Sequence, residues 1–191
     1  MKTAGIIPAR YGSTRLPGKP LLEIQGRPMV WWVCERARRA RRLDEVWVAT
    51  DDRRIEEACR GLQIPVVMTG REHRTAAERL QEAAGQVRAD FYVQINGDEP
   101  LIDPANIDAA VPDEVPLDVE FGTNIIARVK DPAQLLHASN IKVVFDDSFR
   151  ALYMSRTPVP YPFCDVSFSY YKHVGIIGYN RKMLDFYKSS D

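Results

Sequence analysis

The sequence predicts an α/β protein built on a mostly parallel sheet, and three observations carry that prediction. Short apolar runs of strand type alternate with helical periodicities through the first half of the 191-residue chain. Those runs are nearly continuous in Val, Ile and aromatic residues, as strands covered on both faces must be. In the second half the period changes, and strand-like segments follow one another with few helices between them. That change predicts a mixed-sheet extension or lid in place of a separate domain.

Taken in order, residues 3–8 are the first expected strand. Pro28 at a first-turn position opens a helix running to about Arg42, with Met29, Val30, Val33, Cys34 and Ala37 on one face. Glu35, Arg38, Arg39, Arg41 and Arg42 form its opposite, solvated face. Glu45–Thr50 reads as a second strand ended by Asp51-Asp52, followed by a short helix Arg53–Arg60 that Gly61 closes. Ile64–Met68 is a third strand, Glu72 to Gln86 a helix, and Phe91–Ile95 a fourth strand emptying into Asn96-Gly97-Asp98-Glu99-Pro100. The Pro112–Pro116 stretch is a surface excursion. Phe121–Val129, Ile141–Phe145, Ala151–Ser155 and His173–Tyr179 are the strands expected beyond it.

Composition narrows the function classes. Apolar content of 45% and charged content of 27% are those of an ordinary globular domain. A formal net charge of zero gives no general attraction to nucleic acid or to an anionic membrane. Cys34, Cys59 and Cys164 are odd in number and far apart, with no metal-ligand spacing. A reducing, cytoplasmic setting is the expectation they carry. No signal peptide or membrane-spanning run is visible, since Pro8 interrupts the first apolar stretch.

The chain is organised around Gly5 to Leu21, where the first strand empties into a loop of glycines, prolines, hydroxyl residues and three cations. Such a strand–loop–helix passage holds polyphosphate: backbone N–H groups and the helix start supply partial positive charge, and Arg10, Arg15 and Lys19 complete the cage. Walker A is excluded by counting, because five residues separate Gly12 from Gly18-Lys19 and Pro20 stands where Ser or Thr belongs. No G-x-G-x-x-G occurs either. In a parallel sheet, three polar segments fall on one edge: this loop, Thr69–Arg79 and Asn96–Pro100.

From Pro8 to Leu21 the sequence resembles P-A-R-x-x-S-T-R-L-P-G-K-x-L, the signature of cytidylyltransferases that activate 3-deoxy-manno-octulosonate (KDO). The sialic-acid cytidylyltransferases share a looser version. The resemblance implies a Rossmann-like three-layer nucleotide-diphospho-sugar transferase fold. It further implies a single domain, residues 1–191, with a CTP-binding half over 1–110 and an acceptor, lid and dimer half over 111–191. Pro8, Ala9, Arg10, Gly12, Ser13, Thr14, Arg15 and Lys19 are then expected to hold the nucleotide, with Arg10 and Lys19 also catalytic. Asn96-Gly97-Asp98-Glu99-Pro100 resembles the family's Q-G-D-E-P, which makes Asp98 the expected Mg²⁺ ligand and a catalytic residue. Met68, Thr69, His73 and Arg79 match a third family segment, and Thr69, Arg79, Asn96 and Gly97 join the expected nucleotide set. Asn96 in place of Gln, and Thr75-Ala76-Ala77 in place of S-G-T, are departures that touch the choice of acceptor.

Downstream likenesses cover Asn140–Val144, Ala151–Arg156 and Lys172–Tyr179. Through them Arg156, His173 and Tyr179, with Asn96, are expected to bind a small anionic acceptor. The family continues through a dimer-forming helix and a V-D-T-P-E-D-L segment whose aspartate is a second metal ligand. The chain as given stops at Lys188-Ser189-Ser190-Asp191, where that helix should be under way, so the expectation is either a C-terminally truncated form or a reduced relative, homodimeric where the remaining part is present. Three other readings stand beside KDO transfer: the same chemistry on another small acid such as a phosphonate, a nucleotide-binding protein without turnover, and a pyrophosphorylase using UTP or GTP.

Overall fold

The structure, a computed structural model, describes residues 1–12, 16–163 and 169–189. The chain divides into two compact units, residues 1–123 with 176–191 and residues 124–175.

In the first unit, β1 (Thr3–Ala9) is followed by a 3₁₀ turn, Lys19–Leu21, and a two-residue hairpin of β2 (Glu23–Ile24) and β3 (Arg27–Pro28). Gln25 and Gly26 turn that hairpin with φ of 49° and 75°, the left-handed pair that matches strand twist. Next come α1 (Met29–Ala37), β4 (Glu45–Thr50), α2 (Arg53–Gly61), β5 (Val66–Met68), α3 (Ala76–Gln86), β6 (Phe91–Ile95) and α4 (Pro104–Ala110). β5, β4, β1 and β6 lie parallel in that order, and the Ile176–Asn180 end of β10 (Tyr171–Asn180) adds an antiparallel neighbour to β6. α6 (Arg181–Ser189) follows.

β1 is the centre of this sheet because it is apolar on both faces: Ala4, Ile6 and Ile7 are fully buried. Ala4 and Ile6 pack with Leu80, Ala83 and Leu184 of α3 and α6. On α1, Met29, Val30, Val33, Cys34 and Ala37 are the buried residues, as the helical period predicts. The chain runs outward from β1 through β4 to β5, then returns to β1's other side as β6. β1 and β6 therefore meet at a topological switch point, where the loops at their carboxyl ends diverge and leave a crevice.

The second unit carries β7 (Gly122–Arg128), which it shares with the first, then α5 (Pro132–Leu136), β8 (Lys142–Phe145) and β9 (Ala151–Ser155). β8 pairs antiparallel with β9 and with the Tyr171–Lys172 end of β10. β7 also pairs β10.

Several boundaries depart from the sequence reading, each for a local reason. Pro28 precedes α1 as its N-cap instead of opening its first turn. Gly61 is the last residue of α2, and the left-handed residue that ends the turn is Gln63, with φ of 56°. α3 starts at Ala76, four residues later than expected from Glu72, because Thr75 caps it by accepting the Glu78 N–H. Glu78 reaches back to the Arg74 N–H and the Thr75 hydroxyl, a reciprocal capping box. α4 and α5 were not anticipated, yet each carries an Asp N-cap and an early Pro.

Candidate functional site

The crevice at the switch point is a cavity of about 610 Å³ bordered by Pro8 and Ala9 at the end of β1 and Arg10 just after it, Lys19 and Pro20 of the following turn, and Asn96, Gly97 and Asp98 after β6. Pairing Gly5 with Val93 and Ile6 with Gln94 brings these two strand ends side by side. Gly97 is required there: a Cβ would sit 2.9 Å from the Pro8 carbonyl oxygen. Two segments far apart in sequence thus close on one another.

Lys19 Nζ donates to Asp98 Oδ2 at 2.9 Å across the crevice. Both side chains keep solvent access, at 35% and 52%, so the pair is available to a ligand instead of being sealed in the core. Arg10 is exposed at the crevice rim. Ser13, Thr14 and Arg15, which the sequence assigns to the same cage, lie outside the described residues.

Pro8 and Arg10 also border a second, smaller cavity of about 150 Å³, walled by His73, Arg74, Thr75, Ala76 and Arg79. Arg79 is almost fully buried. Its Nη2 donates to Asp51 Oδ2 at 2.9 Å, and Nη1 donates to Thr69 Oγ1 and, at 3.2 Å, to the Gly70 carbonyl. Arg79 therefore lines the cavity while Asp51, Thr69 and Gly70 hold its guanidinium.

The loop ahead of α3 is closed by Glu82, which accepts the Gly70 N–H at 2.8 Å and hydrogen-bonds His73 Nε2. Burial works against ionisation of Glu82, but these two partners hold its carboxyl below the usual range. Glu72 adds a third potential ligand atom, all three lying within 4.8 Å of one another. Loop closure already accounts for Glu82 and His73.

A carboxylate able to take Mg²⁺ is present in the crevice. Asp98 offers one solvent-accessible carboxylate, its Oδ2 paired with Lys19, at the border of the crevice, a donor that suits Mg²⁺, which binds through one or two carboxylates and keeps its remaining positions for phosphate and water.

The expected acceptor residues fall in different surroundings. In the second unit, His173 is half-buried, its Nδ1 within 2.9 Å of Asn124 Nδ2 and 3.1 Å of Asn124 Oδ1, and burial lowers its pKa. Arg156 is exposed, with Nη1 donating to the Ala138 carbonyl at 2.8 Å. Lys142, buried under the same turn, donates to the carbonyls of His137, Asn140 and Arg156. Tyr179 belongs to the first unit and packs against the cluster of Ala4, Ile6, Leu80 and Leu184. Burial pushes its phenol up to about 12. Strand alternation sets that outcome, since Tyr179 pairs with Tyr92 on the α3 and α6 side of the sheet. Tyr179 is thus partly buried against that cluster.

Sequence reasoning missed Asp51 and Asp52, reading them only as a strand stop. Asp51 anchors Arg79, and Asp52 caps α2 and binds the Arg54 guanidinium through both carboxylate oxygens. Their position at the carboxyl end of a parallel strand was the available signal.

Comparison with known proteins gives the family. A family model described as "Cytidylyltransferase" matches residues 4–189. The chain is 42% identical to the 3-deoxy-manno-octulosonate cytidylyltransferase of Escherichia coli, over 97% of this chain and 75% of that protein. It is 40% identical to the 8-amino-3,8-dideoxy-manno-octulosonate cytidylyltransferase of Shewanella halifaxensis, over 96% of this chain and 77% of that one. A solved structure of CMP:2-keto-3-deoxy-manno-octonic acid synthetase complexed with CTP superposes with a TM-score of 0.90 at 38% identity, covering 100% of this chain and 79% of its own.

Proposed function

Because the chain belongs to the cytidylyltransferase family, we propose that it transfers CMP from CTP to the anomeric hydroxyl of a 3-deoxy-ulosonic acid of KDO type. The observation that carries the reading is the Lys19–Asp98 pair, which sets a cation and a carboxylate opposite each other at the switch point. The hydroxyl oxygen forms a bond to the α-phosphorus and loses its proton, while the bond from that phosphorus to the bridging oxygen breaks and pyrophosphate leaves. Arg10 and Lys19 neutralise the triphosphate: Arg by forked contacts, Lys as a point charge. Asp98 is the residue to hold Mg²⁺, which supplies charge neutralisation on the phosphates when bound. The backbone of Pro8 and Ala9 and the small cavity beneath Arg10 receive the rest of the nucleotide. Arg156 and His173 are assigned to the acid.

The likeness to the 8-amino relative favours a second acceptor, the 8-amino-3,8-dideoxy analogue. Both readings share the donor and differ only in the acceptor's far end. A pyrophosphate-release assay with CTP, Mg²⁺ and a panel of acceptors separates them. Release with KDO or its 8-amino analogue supports the reading. Release only with a phosphonate, or only with UTP or GTP in place of CTP, overturns it. Assembly as a homodimer and a cytoplasmic location belong to the same proposal.

A further inference from the structure

The cations flanking the crevice sit on a loop that is fastened at a point no functional assignment covers. Arg10 immediately precedes Tyr11, and Lys19 immediately follows Gly18. The Gly18 N–H donates to the Tyr11 carbonyl at 2.8 Å, drawing the two ends of the loop together. Gly18 has φ of 70°, and a Cβ on it would lie 3.1 Å from the Tyr11 ring. The hydroxyl end of the ring therefore sits against a left-handed backbone position that favours glycine.

On the ring itself rests the Arg54 guanidinium, with Cζ 3.3 Å from the centroid. That guanidinium cannot swing freely. Its Nε donates to Asp52 Oδ1 at 2.9 Å and its Nη2 to Asp52 Oδ2 at 2.7 Å. Asp52 is fixed in turn as the N-cap of α2, accepting the Arg54 N–H at 3.0 Å, and its own N–H donates to Thr50 Oγ1 at the end of β4. A continuous chain of contacts thus runs from β4 through Asp52 and Arg54 to Tyr11 and Gly18.

We propose that Tyr11 is a positioning residue for nucleotide binding: held on the Asp52–Arg54 fork, it fixes the backbone on either side of Arg10 and Lys19 so that both cations meet the triphosphate preorganised. The physical basis is that a ligand binding to a loop already held in place does not have to order it. Cation–π stacking at a partly exposed site is the right size for such a brace, since its loss corresponds to roughly a 5-fold change in an equilibrium constant. The kinetic part rests on the nucleotide-transfer reading above.

The test uses Tyr11→Ala, Arg54→Ala, their double variant and Tyr11→Phe in the full chain. Each single alanine variant is expected to raise KM for CTP roughly 5-fold with kcat and the acceptor KM unchanged. The double variant is expected to be no worse than either single, because both remove one contact. Tyr11→Phe keeps the aromatic face and is expected to restore the wild-type KM. Independently of any substrate, amide exchange at Gly18 should accelerate in both alanine variants and stay slow in Tyr11→Phe. Unchanged Gly18 exchange, or additive losses in the double variant, overturns the proposal. If the wild type turns over no acceptor, the function reading fails while the exchange measurement still decides the brace.

Discussion

Lys19 Nζ and Asp98 Oδ2 are 2.9 Å apart although the residues are 79 positions apart in the chain. One follows the β1 loop and the other lies in the turn after β6, so the pair exists only because those strands are neighbours. A pair this exposed contributes about 0–1 kcal/mol to stability. Its placement in the crevice is better explained by ligand binding. Asp98→Ala is therefore expected to leave the denaturation midpoint nearly unchanged while turnover with CTP falls by roughly 10²–10³-fold. Urea titration and pyrophosphate release check the two halves, and a large loss of stability would argue for a structural role.

Gly97→Ala tests the close approach of the two strand ends. The added Cβ would meet the Pro8 carbonyl oxygen at 2.9 Å, a backbone atom that cannot rotate away. Overpacking of this kind costs about 1–3 kcal/mol. Lower thermal stability together with a raised KM for CTP is the expected result.

Asp51→Ala leaves the Arg79 guanidinium without its carboxylate, in a side chain only 4% exposed. Breaking one partner of a buried pair costs about 3–5 kcal/mol. The double variant Asp51→Ala/Arg79→Met removes the stranded charge and is expected to recover part of that loss in chemical denaturation.

His173 gives the second unit a pH dependence. Burial lowers its pKa in the folded protein below the ordinary value of 6.5. The unfolded chain then binds more protons between the folded value and 6.5, so stability is full above that window and is lost as pH falls through it. Asn124, its hydrogen-bonding neighbour, cannot titrate to offset this. Denaturation midpoints measured from neutral to mildly acidic pH should decline, and His173→Gln should flatten the decline.

Cys34 and Cys59 are both fully buried, and desolvation raises both thiols, Cys59 to about 11. Thiolate is the reactive form. Both are expected to resist a disulfide-exchange reagent in the native protein and to label fully in denaturant, as mass spectrometry of tryptic peptides would show.

Much of the fold was legible because the strands are short, apolar and bounded by polar turns. Glu45–Thr50, Phe91–Ile95 and Ala151–Ser155 fall where periodicity puts them. The start of α3 was misplaced because Thr75 and Glu78 form a cap that residue-by-residue helix propensity does not weigh. The face that Tyr179 takes was not legible, because it depends on the strand's register, which pairs it with Tyr92.

What the sequence determined by itself is local: the cationic loop after β1, the glycine-carboxylate turn after β6, and the family likeness both turns carry. Periodicity and motif spacing depend only on neighbours along the chain, so they can be read there. What the tertiary structure alone decided is which of these residues meet. The strand order β5-β4-β1-β6 places Lys19 against Asp98 and lets Asp51 anchor Arg79. It also sets a partly buried Tyr179 against the cluster of Ala4, Ile6, Leu80 and Leu184. Such pairings follow from which strands are adjacent and which face each side chain takes, and both are set by burying β1 on its two sides.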